Sequence, residues 1–363
     1  MKVGILGAGQ LGRMLALAGY PLGLRFRFLD PNPDASAGAL GEQIVAAYDD
    51  EAALERFASG IDVATYEFEN VPAAAADFLS GHVPVVHPHY TALATAQDRL
   101  AEKECFQRLG MRTAPFAEVD DREGLALAIE RIGLPAVLKT RRLGYDGKGQ
   151  FLIREPADAD LAWQALGGVP LILEGFIDFD RELSILAVRG RAGDVAFYPL
   201  VENRHEGGIL RRSVAPAAGT DGGIQAEAEG YAARILEAFD YVGVLAIELF
   251  QRGDELLANE MAPRVHNSGH WTIEGAETSQ FENHLRAICG LPLGSTRVRG
   301  HAAIVNLIGA TPDLGPIFSL PGAHVHLYDK SPRPGRKVGH VTVRADERAL
   351  LEERLAMLEA LTA

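Results

Sequence analysis

The sequence predicts an α/β protein that becomes α+β in its central part. Residues 2–9 form an apolar strand that ends in a glycine turn, and residues 10–23 have apolar side chains at helical spacing. Further strands are predicted at residues 24–30, 61–70 and 83–88, with helical pieces between them. Strands that alternate with helices favour a parallel sheet with crossover helices.

The central part alternates helices with strands that can pair as hairpins. The strand at residues 134–140 can pair back with 150–155 across a glycine-rich loop. A second hairpin is expected from residues 242–250 and 255–263, joined by the short turn QRGD. The other predicted elements are helices at 97–110, 121–133 and 224–240 and strands at 113–119, 171–177, 181–190 and 195–205.

The length of the chain favours more than one domain. At 363 residues, of which 47% are apolar, the chain can bury two or three cores. We expect a Rossmann-like, parallel-sheet domain at residues 1–95, a central domain at 96–290 and a small C-terminal domain at 291–363. The last of these mixes short strands with a Pro/Gly/basic segment and a closing helix.

Composition disfavours several functional classes. The net charge is −14, whereas a general nucleic-acid binder is normally basic, so we expect no nucleic-acid partner. No apolar run reaches the ~18 residues of a membrane span, and MKVGILGAGQ lacks a signal-peptide pattern, so no membrane association is expected. The two cysteines, Cys105 and Cys289, provide no disulfide framework, which favours a reducing, cytoplasmic setting.

The motif GAGQLG, from Gly7 to Gly12, lies between a strand and a helix, and Asp30 ends the next strand. This spacing is typical of a dinucleotide-binding turn, in which a phosphate lies at a helix N-terminus. Taken alone, the motif indicates only that an anion can bind here. A nicotinamide cofactor therefore remains one interpretation.

The stretch RRLGYDGKGQ places Gly144, Gly147 and Gly149 among basic side chains, directly after a predicted strand that carries Lys139. The glycines permit close backbone approach, and Lys148 could face phosphates beneath a lid. The spacing is not that of a Walker loop, since Lys148 is followed by glycine. An exposed hairpin with solvated charges is the alternative.

Two glutamates face each other in the second predicted hairpin. Pairing across QRGD places Glu248 and Glu260 within about one residue of opposite positions. Like charges this close repel unless a cation lies between them, and oxygen ligands completed by phosphate are typical of Mg²⁺. Asn259 adds a neutral oxygen. The alternative is a solvated surface pair.

Polar and basic residues cluster after this hairpin. The stretch PRVHNSGHW brings donors close to the proposed metal, which suits an anionic substrate; zinc is disfavoured because Gly269 argues against the helix that His266 and His270 would need. The segment 328–340 supplies Lys330, Arg333, Arg336 and Lys337 as a phosphate clamp. Both segments could instead be solvated loops. Because no serine elbow or Cys–His pair is present, nucleophilic catalysis is unsupported.

The order of these pieces resembles the ATP-grasp superfamily and, within it, the N5-carboxyaminoimidazole ribonucleotide synthetase family. The resemblance spans nearly the whole chain and depends on GAGQLGRM, GYDGKGQ, NEMAPRVHNSGHW, SQFENHLRAI and PGRKVGH. It implies an ATP-grasp fold and ATP-dependent carboxylation of 5-aminoimidazole ribonucleotide with bicarbonate, through carboxyphosphate, in purine biosynthesis. It also implies a homodimer.

The resemblance implies four sets of site residues. The implied catalytic residues are Arg264, His266, Lys330 and Asp146. The implied ATP-binding residues are Arg99, Lys139, Gly144, Tyr145, Asp146, Gly147, Lys148, Gly149, Gln150, Glu174, Gly175, Phe176, Ile177, Glu182, His205, Asn259 and Glu260. The implied substrate-binding residues are Gln10, Tyr145, Asn267, Ser268, Lys330, Arg336 and Lys337, with Glu67 as a further candidate. Glu248 and Glu260 would hold Mg²⁺, or alternatively Mn²⁺.

Three other functions remain open at this point. A nicotinamide-dependent dehydrogenase explains residues 1–30 but neither the glycine-rich lid nor the paired glutamates. Another ATP-grasp ligase, using formate or carboxylating biotin, shares the nucleotide half but not HNSGH or PGRKVGH. A nucleotide-binding module without catalysis explains the lid but not the glutamate pair beside Arg264 and His266.

Overall fold

The computed structural model describes residues 1–144, 148–220 and 223–362. Tyr145, Asp146 and Gly147, which the sequence places at the ATP and substrate sites, lie outside the described residues. No helix in the described ranges is long and apolar enough to cross a membrane.

The N-terminal part is a parallel α/β unit, as predicted. Its elements are β1 (Lys2–Leu6), α1 (Gln10–Gly19), β2 (Arg25–Asp30), β3 (Glu42–Val45), α2 (Glu51–Ala58), β4 (Val63–Tyr66), α3 (Ala73–Ser80) and α4 (Tyr90–Ala96). The strands are parallel in the order β3-β2-β1-β4. Because parallel strands end on the same edge, the loops after β1, β2 and β4 meet there.

Two sequence predictions in this unit are wrong. Residues 83–88 form no strand: only Val86 bridges to Ala64, since Pro84 and Pro88 cannot donate to a ladder. The short strand β3 was not predicted, because its sequence EQIV is brief, half polar and lies at the sheet edge. Neither difference alters the edge of the sheet that carries the glycine turn.

The central part begins with a helix and a small antiparallel sheet. Its elements are α5 (Arg99–Arg108), β5 (Phe116–Val119), α6 (Arg122–Ile132), β6 (Ala136–Thr140), β7 (Gln150–Ile153), α7 (Asp158–Leu166) and β8 (Leu171–Gly175). The strands lie in the order β5-β8-β6-β7, and the predicted hairpin is confirmed by the pairing of Lys139 with Gln150. Asp98 caps α5 by accepting hydrogen bonds from the N–H groups of Leu100 and Ala101.

A long sheet runs from the central part into the C-terminal part. Its elements, with their flanking helices, are β9 (Arg181–Arg189), β10 (Val195–Phe197), β11 (Val201–Glu206), β12 (Ile209–Ala215), α8 (Gly223–Ala238), β13 (Gly243–Arg252), β14 (Glu255–Ala262), α9 (Thr272–Gly275), α10 (Gln280–Ile288), β15 (His301–Ile308), α11 (Leu314–Phe318), β16 (Ala323–Leu327), β17 (Lys337–Ala345) and α12 (Arg348–Thr362). In the described residues the order is β14-β13-β9-β11-β12-β15-β17-β16, with β10 beside β9. The sheet is continuous across residue 290, because β12 pairs with β15.

The predicted strand at residues 195–205 is split in two. Pro199 interrupts it, so β10 and β11 pair separately with different parts of β9. The predicted hairpin of β13 and β14 is confirmed. Strand β12, which the sequence did not indicate, returns from β11 and joins the hairpin side of the sheet to β15.

Candidate active site

A cleft of about 650 Å³ lies between the N-terminal sheet edge, helix α5 and the β13–β14 hairpin. This volume falls within the range of small-molecule sites, roughly 300–1,000 Å³. Most of the described candidate residues line it, namely Gln10, Arg99, Lys139, Gly144, Gln150, Glu182, His205, Glu248, Asn259, Glu260, Arg264, His266, Asn267, Lys330 and Lys337. Residues far apart in the sequence therefore share one space.

Other candidates do not line this cleft, namely Lys148, Gly149, Glu174, Gly175, Phe176, Ile177, Ser268 and Arg336. Ser268 is fully buried and lies behind His266. Arg336 donates a 2.9 Å hydrogen bond to the hydroxyl of Ser331, within its own turn. The ligand-binding roles of these residues stay predictions.

The two glutamates of the β13–β14 hairpin stand directly opposite each other, as predicted. Burial, reinforced by the charge of Glu260, raises the pKa of Glu248 to about 7. Glu260 accepts a 3.1 Å hydrogen bond from Arg99 Nη1. Although burial opposes ionisation, the charges of Arg99 and Lys139 hold the pKa of Glu260 below its usual value.

This arrangement fits a divalent cation. Two carboxylates face each other, and the buried Oδ1 of Asn259 beside them has no hydrogen-bond partner among the described residues. These are the hard oxygen donors that Mg²⁺ takes. Across the described ranges, no cluster of three or more histidine, cysteine or acidic side chains could hold a metal alone, so phosphate oxygens would complete the coordination.

The phosphate side of the cleft carries Lys139, whose Nζ lies 3.1 Å from Glu174 Oε2. The same oxygen lies 3.2 Å from Nζ of Lys103 on α5. Burial alone would raise the pKa of Glu174. The charges of Lys103 and Lys139 outweigh burial and lower this pKa to about 2, so the carboxylate is ionised. The side chain of Glu174 therefore joins two lysines, and the role of this residue in binding ATP stays a prediction.

Helix α5 contains two functional candidates that sequence reasoning missed. The string QDRLAEKECFQR is charge-rich and is typical of an exposed helix, yet Glu102 and Lys103 are buried. Their spacing from Arg99, three and four residues, places all three on one helix face. Because Arg99 was already a candidate ATP-binding residue, this spacing could have indicated that Glu102 and Lys103 also lie near the site.

The proposed ribose-side residues lie on neighbouring strands. Glu182 on β9 and His205 on β11 form a 2.5 Å hydrogen bond between Oε2 and Nδ1. Burial disfavours the imidazolium, but the Glu182 carboxylate outweighs it and raises the pKa of His205. The pair therefore presents both a donor and a carboxylate acceptor to the cleft.

The glycine turn after β1 holds carboxylates of this chain. Glu67 accepts hydrogen bonds from the N–H groups of Gly9 at 2.9 Å and Gly12 at 3.1 Å, and Asp30 accepts one from Ala8 at 2.8 Å. A Cβ added to Gly9 would lie 2.8 Å from Glu67 Oε1, so glycine is required for this approach. Donors that would hold a dinucleotide pyrophosphate are thus engaged, which disfavours the nicotinamide interpretation.

The candidate bicarbonate side consists of Arg264 and His266. Arg264 Nε donates a 2.5 Å hydrogen bond to Glu69, a residue that sequence reasoning did not identify. Ser184 donates to the hydroxyl of Ser268, which in turn lies 2.8 Å from His266 Nδ1 and fixes the ring. Burial and the nearby Arg264 charge lower the pKa of His266 well below its usual value, so it enters the cleft neutral.

The candidate ribotide side is formed by Gln10, Lys330 and Asn267. Lys330 Nζ donates to the amide oxygen of Gln10, which joins the glycine turn to the basic segment. Burial, assisted by neighbouring cations, lowers the pKa of Lys330 to about 8. Asn267 exchanges two hydrogen bonds with Asn306, of 3.1 and 2.8 Å, so its side-chain amide is largely engaged by the protein.

Three family models match the chain in succession. They are described as a ribonucleotide synthetase preATP-grasp domain at residues 1–97, an ATP-grasp domain at 104–281 and a phosphoribosylaminoimidazole carboxylase C-terminal domain at 302–354. A curated relative from Pseudomonas aeruginosa, named N5-carboxyaminoimidazole ribonucleotide synthase, is 55% identical and is aligned over 99% of each chain. The chain belongs to the N5-carboxyaminoimidazole ribonucleotide synthase family.

Solved structures of this family share the fold. The synthetase from Thermus thermophilus superposes with a TM-score of 0.96 at 62% identity, covering 99% of this chain and 98% of that one. The synthase from Aspergillus clavatus, solved with ADP and 5-aminoimidazole ribonucleotide, superposes with a TM-score of 0.92 at 33% identity, covering 99% and 98%. The predicted ATP-grasp fold is confirmed.

Proposed function

We propose that the protein carboxylates 5-aminoimidazole ribonucleotide with bicarbonate, at the expense of ATP, in de novo purine biosynthesis. The products are N5-carboxyaminoimidazole ribonucleotide, ADP and phosphate. One observation carries the proposal: a single cleft contains Lys139, the facing carboxylates Glu248 and Glu260, and the bicarbonate candidates Arg264 and His266. The relative from Pseudomonas aeruginosa carries this activity in its name.

The chemistry explains the need for ATP. Bicarbonate is a poor electrophile, so one of its oxygens attacks the γ-phosphorus and ADP leaves, which gives carboxyphosphate. The exocyclic amine then forms a C–N bond to the carboxyl carbon and loses a proton, while phosphate leaves with the electrons of the broken C–O bond and takes up that proton. Phosphoryl transfer depends on positioning and charge neutralisation and needs no side-chain nucleophile.

Each side of the cleft has a task in this scheme. Arg99 and Lys139 orient the phosphates, and Glu182 with His205 binds the ribose hydroxyls. Arg264 holds bicarbonate and offsets the charge that develops on it. When bound between Glu248 and Glu260, Mg²⁺ or Mn²⁺ would neutralise phosphate oxygens.

The ribotide would bind between the glycine turn and the basic segment. Gln10 and Lys330 are already in contact there, and Lys337 lines the same side of the cleft. Arg336 and the lid residues Tyr145 and Asp146 remain further candidates for this substrate. We also propose that the protein is a cytoplasmic homodimer with domains at residues 1–95, 96–290 and 291–363.

The test measures ADP release from ATP, Mg²⁺ and bicarbonate, with and without 5-aminoimidazole ribonucleotide. We expect strong stimulation by the ribotide, which Lys139→Ala and Glu260→Ala abolish. Glu255→Gln is a matched control on the same strand, because this exposed glutamate pairs with Arg252 across the turn and lies outside the cleft lining. ADP release that is not stimulated by the ribotide but is stimulated by another amine or acid would contradict the proposed substrate. Absence of ATP hydrolysis under all these conditions would contradict the proposed class of reaction.

A further inference from the structure

One face of helix α5 is fastened to three consecutive residues of strand β14. Lys103 Nζ donates a 2.7 Å hydrogen bond to the carbonyl of Asn259. Arg99 pairs with Glu260 at 3.1 Å, and Glu102 accepts a 2.7 Å hydrogen bond from the N–H of Met261. Helix α5 therefore contacts β14 directly at the candidate metal ligand Glu260 and at the residues on either side of it.

Lys103 differs from its neighbours because it also reaches across to the phosphate side. Its ammonium lies 3.2 Å from Glu174 Oε2, and the same oxygen lies 3.1 Å from the ammonium of Lys139. Lys103 therefore joins the backbone of β14 to the side chain of the candidate phosphate-binding lysine through one carboxylate.

The two lysines of this bridge differ in their exposure to the cleft. The side chain of Lys103 is 1% exposed and does not line the cleft, whereas that of Lys139 is 13% exposed and does. A buried ammonium is costly unless it is paired and hydrogen-bonded, so Lys103 is held in one place by its partners. Lys139 shares the carboxylate with Lys103 instead of neutralising it alone, which leaves positive charge to bind an anion in the cleft.

We propose that Lys103 is a positioning residue for nucleotide binding, which places the Lys139 ammonium and the Asn259–Glu260 backbone at a fixed separation through Glu174. Lys103 itself does not touch the nucleotide. The proposal depends on the proposed use of ATP, since it assigns the bridge to the ATP half of the cleft. It predicts that Lys103 affects ATP and not the ribotide.

The direct test is Lys103→Met, which retains a long apolar side chain but removes the ammonium. Without it, Glu174 forms a closed pair with Lys139, and the Asn259 carbonyl loses its donor. We expect the dissociation constant for ADP and the KM for ATP to rise about tenfold or more, in line with the loss of an outer-shell partner. The KM for 5-aminoimidazole ribonucleotide should stay within about twofold, and Lys103→Arg should restore much of the ATP affinity.

The control separates positioning from general destabilisation. The Phe106→Leu substitution is on the same helix, where Phe106 is fully buried in a hydrophobic cluster and carries no charge or hydrogen-bonding group. It should lower the melting temperature and leave the ATP and ribotide KM values unchanged. The proposal would be overturned if the Lys103→Met variant had a lower melting temperature but bound ADP as tightly as the wild type. Equal rises in the KM for ATP and the KM for the ribotide would also overturn it.

A second variant keeps the test decisive if Lys103→Met does not fold. Glu174→Gln keeps the shape of the bridge but removes its charge, so it should weaken ADP binding while leaving the ribotide KM unchanged. Wild-type ADP affinity in Glu174→Gln would overturn the bridge. Failure of the wild-type protein to bind ADP would instead contradict the proposed function, and the calorimetric titration of ADP into the wild type distinguishes these failures.

Discussion

Glu67 and the pair Glu248/Glu260 line the same cleft, but their carboxylates have opposite surroundings. The two oxygens of Glu67 accept hydrogen bonds from the backbone of Gly9 and Gly12. Glu248 instead faces Glu260, and Nε2 of the neutral His266 lies 3.5 Å from Glu248 Oε1. The oxygens of Glu67 are thus hydrogen-bonded within the fold, whereas the facing Glu248 and Glu260 keep oxygen lone pairs that could coordinate a cation.

The difference shows why a glycine motif alone does not identify a ligand. The turn Gly7–Gly12 has the spacing of a phosphate-binding loop, yet the side-chain oxygens of Glu67 already accept hydrogen bonds from two of its N–H groups. The hairpin carries no such motif, yet its paired strands bring two acidic side chains together beside Asn259, whose buried Oδ1 finds no partner in the described residues. Unsatisfied groups, more than motif spacing, therefore indicate where a ligand is needed.

The largest expected effect comes from removing charge at the hairpin. Glu248→Gln and Glu260→Gln should each reduce ribotide-dependent ADP release at least about 100-fold, because charge neutralisation of the phosphates is lost. Both variants should also lose the increase in ADP affinity that Mg²⁺ gives the wild type. Titration of ADP with and without Mg²⁺ measures this increase, and its survival in both variants would contradict a metal site between these residues.

Glu67→Gln tests the other side of the comparison and should act on stability. An amide offers one oxygen and one NH₂ to two N–H donors, so one backbone donor loses its acceptor. Leaving a buried donor unpaired costs about 1–3 kcal/mol of unfolding free energy. Urea unfolding measures the loss, with Glu255→Gln as the control, since its exposed ion pair with Arg252 is worth about 1 kcal/mol or less. Equal losses in both variants would mean that Glu67 is no structural acceptor.

Local sequence patterns predicted most of the fold. The parallel N-terminal unit and both hairpins follow from periodicity and turn residues, which act over a few positions. The patterns could not show that β12 joins β15, because that pairing connects residues almost 90 positions apart. Pro199 shows the same limit. Its effect on the strand is clear only from the structure, in which β10 and β11 pair with different parts of β9.

The candidate site was predictable where one segment carried several polar residues. Glu248, Glu260, Arg264 and His266 were identified in this way, and the structure places them in one cleft. Lys103 and Glu69 were missed because each acts through a partner distant in sequence, Glu174 and Arg264 respectively. A charge-rich helix looks solvent-exposed until its tertiary partners are known.

His284 extends the comparison, because it is a buried acceptor satisfied by the fold, as Glu67 is. Its Nδ1 accepts a 3.1 Å hydrogen bond from the N–H of Val244, and its Nε2 lies 3.0 Å from Thr65 Oγ1. A second proton on the ring would have to occupy Nδ1 and would face that N–H. Burial, assisted by the nearby His87, accordingly lowers the pKa of His284 to about 3.

The smallest expected effect is therefore a loss of stability in mild acid. The unfolded chain binds a proton at His284 near pH 6.5, whereas the folded chain does so only near pH 3. Stability from this group is present above pH 6.5 and falls as the pH drops toward 3, by roughly 1–2 kcal/mol at pH 5.5. Urea unfolding at pH 7.5 and 5.5 should show a smaller acid loss for His284→Gln than for the wild type. Thr65→Val should be less stable at both pH values but keep the wild-type acid loss, because it retains the imidazole and its Val244 contact. An unchanged acid loss in His284→Gln would show that this imidazole does not contribute to it.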